Sequence, residues 1–154
     1  MATLTLCAAL GCGLVAGIFF AFSAFVMAAL GRLRPEHGIA AMQSINIAVL
    51  NPCFLVAFFG TAAICLAVAA FALFDVTAPA AGWQLAGSGL YLVGCILVTI
   101  AGNVPLNDRL AVVVPDNIEA AEVWLRYQAV WTAWNHVRTV ASMAASAAFI
   151  VALT

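Results

Sequence analysis

The sequence predicts an all-α fold, an integral membrane four-helix bundle, and three observations predict it. First, 67% of the 154 residues are hydrophobic and only 7% are charged; a typical soluble domain is about 45–50% apolar and about 25% charged. Second, the apolar residues gather into four runs, about 4–30, 52–74, 83–104 and 129–153, each near the roughly 20 residues that a membrane helix needs. Third, the runs show no apolar–polar alternation of the barrel type, so helices are the spanning elements. Five arginines, no lysine and six acids cannot cover a soluble surface. That excludes an ordinary cytosolic domain. It also excludes a nucleic-acid partner, which requires clustered basic residues. The length suits one domain, residues 1–154, and not two.

The first run is free of charge from Leu4 to Leu30 and stops at Arg32, Arg34 and Pro35. It lacks a basic start and a small-residue cleavage site, so it reads as a retained helix and not a leader. Gly13 and Gly17 stand four apart, the spacing that allows close helix approach; in a chain this rich in Ala and Gly, chance is the other reading. Residues His37 to Asn51 are polar enough to lie outside a span, and Asn51 before Pro52 marks a helix start. The second run ends at Asp75, and a Gly/Pro/Ala-rich turn, Thr77 to Gly82, leads into the third. Pro105 is expected to end that third helix. Residues 116–126 read as a short surface helix, its acids Asp116, Glu119 and Glu122 near the N-terminus as the helix dipole favours. The fourth run follows.

Four spans put both termini on one side. Arg32, Arg34, Arg109 and Arg126 belong to the first and third loops or their edges, whereas the second loop holds Asp75. The positive-inside rule then sets loops one and three in the cytoplasm and both termini outside, in a bacterial inner (plasma) membrane. Cys7, Cys12, Cys53, Cys65 and Cys95 form no C-x-x-C pair and lie in apolar stretches. They read as packed structural thiols, without zinc spacing.

Polar residues in membrane spans are costly and mark candidate sites. In the fourth run Gln128, Trp131, Thr132, Asn135, Arg138, Thr139, Ser142 and Ser146 share one helix face at ~100° per residue. That face is expected to look inward. His136 stands on its flank. Asn103, Asn107 and Asp108 end the third run at the same membrane edge, and Gln43, Asn46 and Asn51 enter the second run there. Phe19, Phe20, Phe22 and Phe25 offer an apolar wall, or simply lipid contact and packing. Plainer roles stand beside these. Asn103 and Asn107 cap the backbone broken at Pro105; Asp108 and Arg109 form a solvated pair; His37 is solvated. Arg138 lies about two turns into its span, too deep to snorkel easily, and calls for a carboxylate, a carboxamide or an anionic ligand.

No nucleophile–His–Asp pattern, phosphate loop or dinucleotide fingerprint is present. Two histidines and few carboxylates offer a metal little, so no metal and no cofactor are expected. Acid–base chemistry on a small apolar or aromatic molecule remains. An imidazole exchanges its proton near neutral pH, which suits His136 as the base. Arg138, Asn135 and Asn103 would hold a developing oxyanion. Gln43, Asn46, Asn107, Asp108, Trp131 and Phe22 would bind the substrate, with Trp131, Trp134 and the Phe rings stacking on it.

At these residues the chain resembles the anthrone-oxygenase-like family of small four-helix membrane proteins, many of them bacterial and uncharacterised. The resemblance rests on Gly17-Ile-Phe-Phe-Ala-Phe-Ser23, Met42-Gln-Ser-Ile-Asn46, Gly102-Asn-Val-Pro-Leu-Asn-Asp108 and Trp131-Thr-Ala-Trp-Asn-His-Val-Arg-Thr139. It implies the four-helix membrane fold and, from fungal relatives, oxidation of an anthrone to an anthraquinone by O2 without an evident cofactor. In that chemistry His136 would deprotonate the substrate, Arg138, Asn135 and Asn103 would stabilise the enolate, and Asn107 and Asp108 would position or gate the site. A different class stays open: a non-enzymatic membrane protein that binds a lipid or quinone, or a small accessory subunit. The sequence leaves a homo-oligomer open as well.

Overall fold

The computed structural model describes residues 1–117 and 119–154, and it is all-helical, with no strand among the described residues. Five helical rods follow one another: α1 (Ala2–Leu30), α2 (Pro35–Ala48), α3 (Pro52–Phe74), α4 (Ala81–Ala111) and α5 (Ala120–Val151). Five replace the expected four because residues 35–48, which open on Pro35 at the first turn, form a helix of their own. A proline there loses no hydrogen bond and has its φ already set. Asn51 caps α3 as its position before Pro52 suggests, its Oδ1 accepting the Phe54 N–H at 3.0 Å.

Three rods, α1, α3 and α4, are long and apolar enough to cross a membrane, so the chain is a membrane protein. The fourth expected span lies on α5, which is not among those three. Asn135, Arg138, Thr139 and Ser142 lie buried on it, with His136 beside them, and these residues dilute its hydrophobicity. The surface helix expected at 116–126 is not separate. Ile118 lies outside the described residues, and from Ala120 onward the segment is the start of α5. At 1.5 Å per residue the 32 residues of α5 reach about 48 Å, longer than a hydrocarbon core of about 30 Å. Its first turns pack on α2 and on the C-terminal end of α4.

Pro105 does not end α4. The backbone continues in helical form to Ala111, through widened π turns at Leu92–Leu97 and Thr99–Asn103. Wider turns accommodate the missing proline N–H and the bulk of its ring. A similar widening, Phe22–Val26, interrupts α1.

The four long rods pack side by side. α1 lies against α3 and α5, and α4 lies against the same two. Small residues set the closest approaches: a Cβ on Gly94 would stand 2.4 Å from the Ala141 Cβ, and one on Gly11 would stand 2.3 Å from Thr61 Oγ1. Gly17 has open space around it, so the close approach on α1 uses Gly11 and Gly13 rather than the Gly13–Gly17 pair.

Two apolar clusters result. One joins Ala8, Cys12, Phe19, Phe58, Cys65, Tyr91, Cys95 and Phe149; the other joins Met27, Ile39, Met42, Leu110, Trp124, Tyr127 and Trp131. Cys12, Cys65 and Cys95 are buried packing thiols, whereas Cys7 and Cys53 are exposed. Along α5 the polar residues Asn135, Arg138, Thr139 and Ser142 fall between the stretches that feed the two clusters.

Candidate active site

A cavity of about 530 Å³ opens beside this polar layer, bounded by α1, α2, α3, α4 and α5. Phe19, Phe22, Phe58 and Trp131 wall it, and Gln43, Asn46, Thr99, Asn107, Asp108 and Arg138 supply its polar groups. The volume lies within the range of small-molecule sites, about 300–1,000 Å³. Ile47, Leu50, Phe59 and Ile100 also line it and are themselves more than half exposed, so the rim is apolar.

Arg138 dominates the electrostatics. Its residue is 4% exposed, yet it lines the cavity. Nη2 donates to Asn135 Oδ1 at 2.8 Å and Nη1 to Thr99 Oγ1 at 3.3 Å. The guanidinium carbon sits 4.1 Å from the Phe19 ring centre and 5.1 Å from that of Trp131. Its Nε has no hydrogen-bond partner among the described residues. No carboxylate balances it: among the described residues the one ion pair is Arg34–Glu36, at the surface. A buried cation held only by amides, hydroxyls and π faces is costly unless something anionic meets it.

Asn135 fixes that cation and is itself fixed. Its Nδ2 donates to the Phe19 carbonyl and to Ser23 Oγ, both at 2.8 Å. Those acceptors stand where α1 widens at Phe22, a local change of helix form that recurs at functional sites. Asn135 is fully buried and does not line the cavity. It orients Arg138.

Asn103 is also buried outside the cavity. Its Nδ2 donates to the Trp131 carbonyl at 3.2 Å, tying α4 to α5, and its Oδ1 has no partner among the described residues. Neither it nor Asn107 caps a broken helix, because the helix is not broken. Asn107 Oδ1 accepts from Tyr127 Oη at 2.9 Å and from Trp131 Nε1 at 2.8 Å. Both donors take its carbonyl, so its amide nitrogen is the group left to face the cavity it lines. Gln43 Nε2 donates to the Leu110 and Val113 carbonyls at 2.8 and 3.0 Å and so secures the end of α4. Asn46 is half-buried in the cavity wall. Phe22 and Trp131 face each other there, ring centres 5.6 Å apart.

His136 departs from expectation. It is exposed on the outer flank of α5, does not line the cavity, and its Nδ1 is bonded to Ser23 Oγ at 2.9 Å. At ~100° from Asn135 around the helix, the ring lies on the flank and reaches Ser23 of α1 rather than the cavity. Trp134 is likewise outside the cavity, half-exposed against Gly102. Phe20 and Phe25 point outward. Asp108 lines the cavity without an ion-pair partner, so the pairing with Arg109 is not formed. Asn51 serves its helix cap and stays outside the cavity.

Three partners escaped the sequence reading: Thr99, Ser23 and Tyr127. Thr99 precedes Asn103 by one turn, and Tyr127 precedes Trp131 by one turn, so the four-residue spacing of polar and aromatic groups was their signal. Ser23 was marked only as a polar residue inside the first run, and its role depends on the widened turn.

Against known proteins, the family model described as anthrone oxygenase matches residues 54–148. No curated protein and no solved structure matches the chain.

Proposed function

The chain belongs to the anthrone oxygenase family, and from that premise we propose that it is a cofactor-independent oxygenase for a small polycyclic aromatic, anthrone-like substrate. The observation that carries this reading is Arg138, a buried cation with no carboxylate partner, in the wall of an apolar, aromatic-lined cavity. An anthrone has an acidic CH2 between two aryl rings, opposite a ketone. Loss of that proton gives an enolate, electron-rich enough to react with O2 directly. The enolate oxygen needs a preorganised positive partner, and such a partner gains most where water is excluded. Arg138 is that partner, Asn135 and Thr99 hold its orientation, and the Asn107 amide supplies a second donor. Phe19, Phe22 and Trp131 stack on the rings.

In this reading α5 crosses the membrane as a fourth span, its polar face turned to the cavity and its apolar face to lipid. Both termini then share one side, and Arg32, Arg34, Arg109 and Arg126 face the cytoplasm across the plasma membrane. The apolar rim at Ile47, Leu50, Phe59 and Ile100 fits entry of a lipophilic substrate from the bilayer. The same rim favours a second reading, a lipid or quinone site without catalysis.

Oxygen uptake separates the two. Protein in nanodiscs is given a soluble anthrone, with empty nanodiscs to subtract autoxidation. Uptake well above that background, with one anthraquinone formed per O2, is the expected result. Background uptake from protein that binds anthraquinone refutes the oxygenase and leaves the binding protein.

A further inference from the structure

His136 does not line the cavity, so this reading needs a proton acceptor among the residues that do. We propose that the Asp108 carboxylate removes the substrate's methylene proton. The inference rests on the oxygenase reading and assigns its missing group. Among the residues that line the cavity, two carry charge: Arg138 and Asp108. Arg138 is a buried cation; Asp108 is an exposed carboxylate without an ion pair among the described residues. The two are therefore opposite in charge and in depth.

That separation suits the substrate. The acidic carbon and the ketone oxygen stand on opposite sides of the central ring. A base at the mouth and a cation in the inner wall can meet both ends at once, as one side chain at either place cannot. The backbone beneath Asp108 is held on both sides. Asn107 is bonded to Tyr127 and Trp131, and Gln43 grips the Leu110 carbonyl. The continuation of α4 through Pro105 is what brings residues 107 and 108 to the cavity at all.

The step balances. An Asp108 oxygen takes the proton, and the C–H electron pair passes into the ring system as the enolate at Arg138. The enolate carbon bonds to O2, which is reduced to the peroxide level. The proton on Asp108 goes to the distal peroxide oxygen. Loss of the second C–H proton to Asp108 then expels hydroxide as the new C=O forms. Proton and hydroxide leave as water. One substrate and one O2 give one diketone and one water, and Asp108 is regenerated.

Proton abstraction can be watched without oxygenation. In anaerobic D2O, exchange of the anthrone methylene is followed by proton NMR for protein in nanodiscs, above empty nanodiscs. Anthraquinone binding is followed in parallel by tryptophan quenching. Wild type is expected to accelerate exchange. Asp108→Asn should lose about 10²–10⁴-fold, the usual worth of a general base, while still binding anthraquinone, and Asp108→Glu should recover part of the rate. Exchange by Asp108→Asn at the wild-type rate overturns the proposal, as does loss of exchange in His136→Gln with Asp108→Asn intact. Loss of binding together with exchange in Asp108→Asn makes the residue a ligand contact and overturns it too. Wild-type protein that binds anthraquinone yet leaves exchange at background refutes the oxygenase reading itself, a distinguishable failure.

Discussion

Replacing Arg138 by methionine separates function from stability, because the two are expected to move apart. In the wild type the guanidinium donates to Asn135 at 2.8 Å and lies over the Phe19 ring at 4.1 Å. A charge-assisted hydrogen bond is worth about 1.5–3 kcal/mol, and a desolvated cation–π contact about 2 kcal/mol. Against these stands the cost of a buried charge with no counter-ion, several kcal/mol after relaxation. Methionine keeps an unbranched apolar chain against Phe19 and Trp131 and removes that cost. What it leaves behind is the Asn135 carbonyl without its donor, about 1–3 kcal/mol. The terms offset, so thermal unfolding, followed by tryptophan fluorescence in detergent, should shift by no more than about 2 kcal/mol in either direction. Catalysis has no such offset. Loss of an oxyanion donor typically costs about 10²–10³ in kcat, which oxygen uptake in nanodiscs resolves above autoxidation. An Arg138→Met protein within about threefold of wild-type kcat would refute the oxyanion assignment. A loss of more than about 4 kcal/mol in stability, with activity falling only as the fold does, would make Arg138 a structural tie.

Thr99→Asp puts a carboxylate where the Thr99 hydroxyl now meets Arg138 Nη1 at 3.3 Å; it should neutralise the cation from within, reducing anthraquinone affinity by roughly tenfold or more while the fold survives, as read by tryptophan quenching. Gly94→Ala should destabilise by about 1–3 kcal/mol in thermal unfolding, because its Cβ would stand 2.4 Å from that of Ala141 and the two helices must part. Gly17→Ala, with open space around it, should leave the unfolding midpoint unchanged or raise it slightly. Asn107→Ala strips the Tyr127 hydroxyl and the Trp131 indole of their shared acceptor; unfolding should come about 1–3 kcal/mol earlier.

Much of the fold was legible because lipid imposes one requirement on every span. Runs of apolar residues of sufficient length become helices there, and α1 and α3 follow their runs closely. The errors came where tertiary contacts outweighed local signals. Pro105 reads as a terminator by itself, yet α4 passes it in widened turns because Asn103 and Asn107 are tied to α5 on either side of it. Residues 35–48 are too polar to read as a span, and nothing in their periodicity says that they lie as a helix against α5. The polar stripe of α5 was legible from spacing alone: Trp131, Asn135, Arg138, Thr139 and Ser142 are all buried as their shared face requires.

His136 shows why a shared neighbourhood in sequence is a weaker guide than a shared face. It sits between Asn135 and Arg138, both buried, and one residue around a helix is enough to take it out of the cavity. Asp108 lay on another helix, beyond a proline, and only the path of α4 through Pro105 carries it to the cavity wall. The asymmetry follows from what each group costs. A buried arginine without a counter-ion is tolerated only where the interior is built around it. The Asn135 side chain commits its three hydrogen bonds to Arg138, Phe19 and Ser23, and two aromatic rings flank the charge. That much structure committed to one uncompensated cation supports the proposed reading, in which the negative charge arises on the bound substrate. A permanent carboxylate partner would have stabilised the fold at less expense, and would have left Arg138 nothing to offer an enolate.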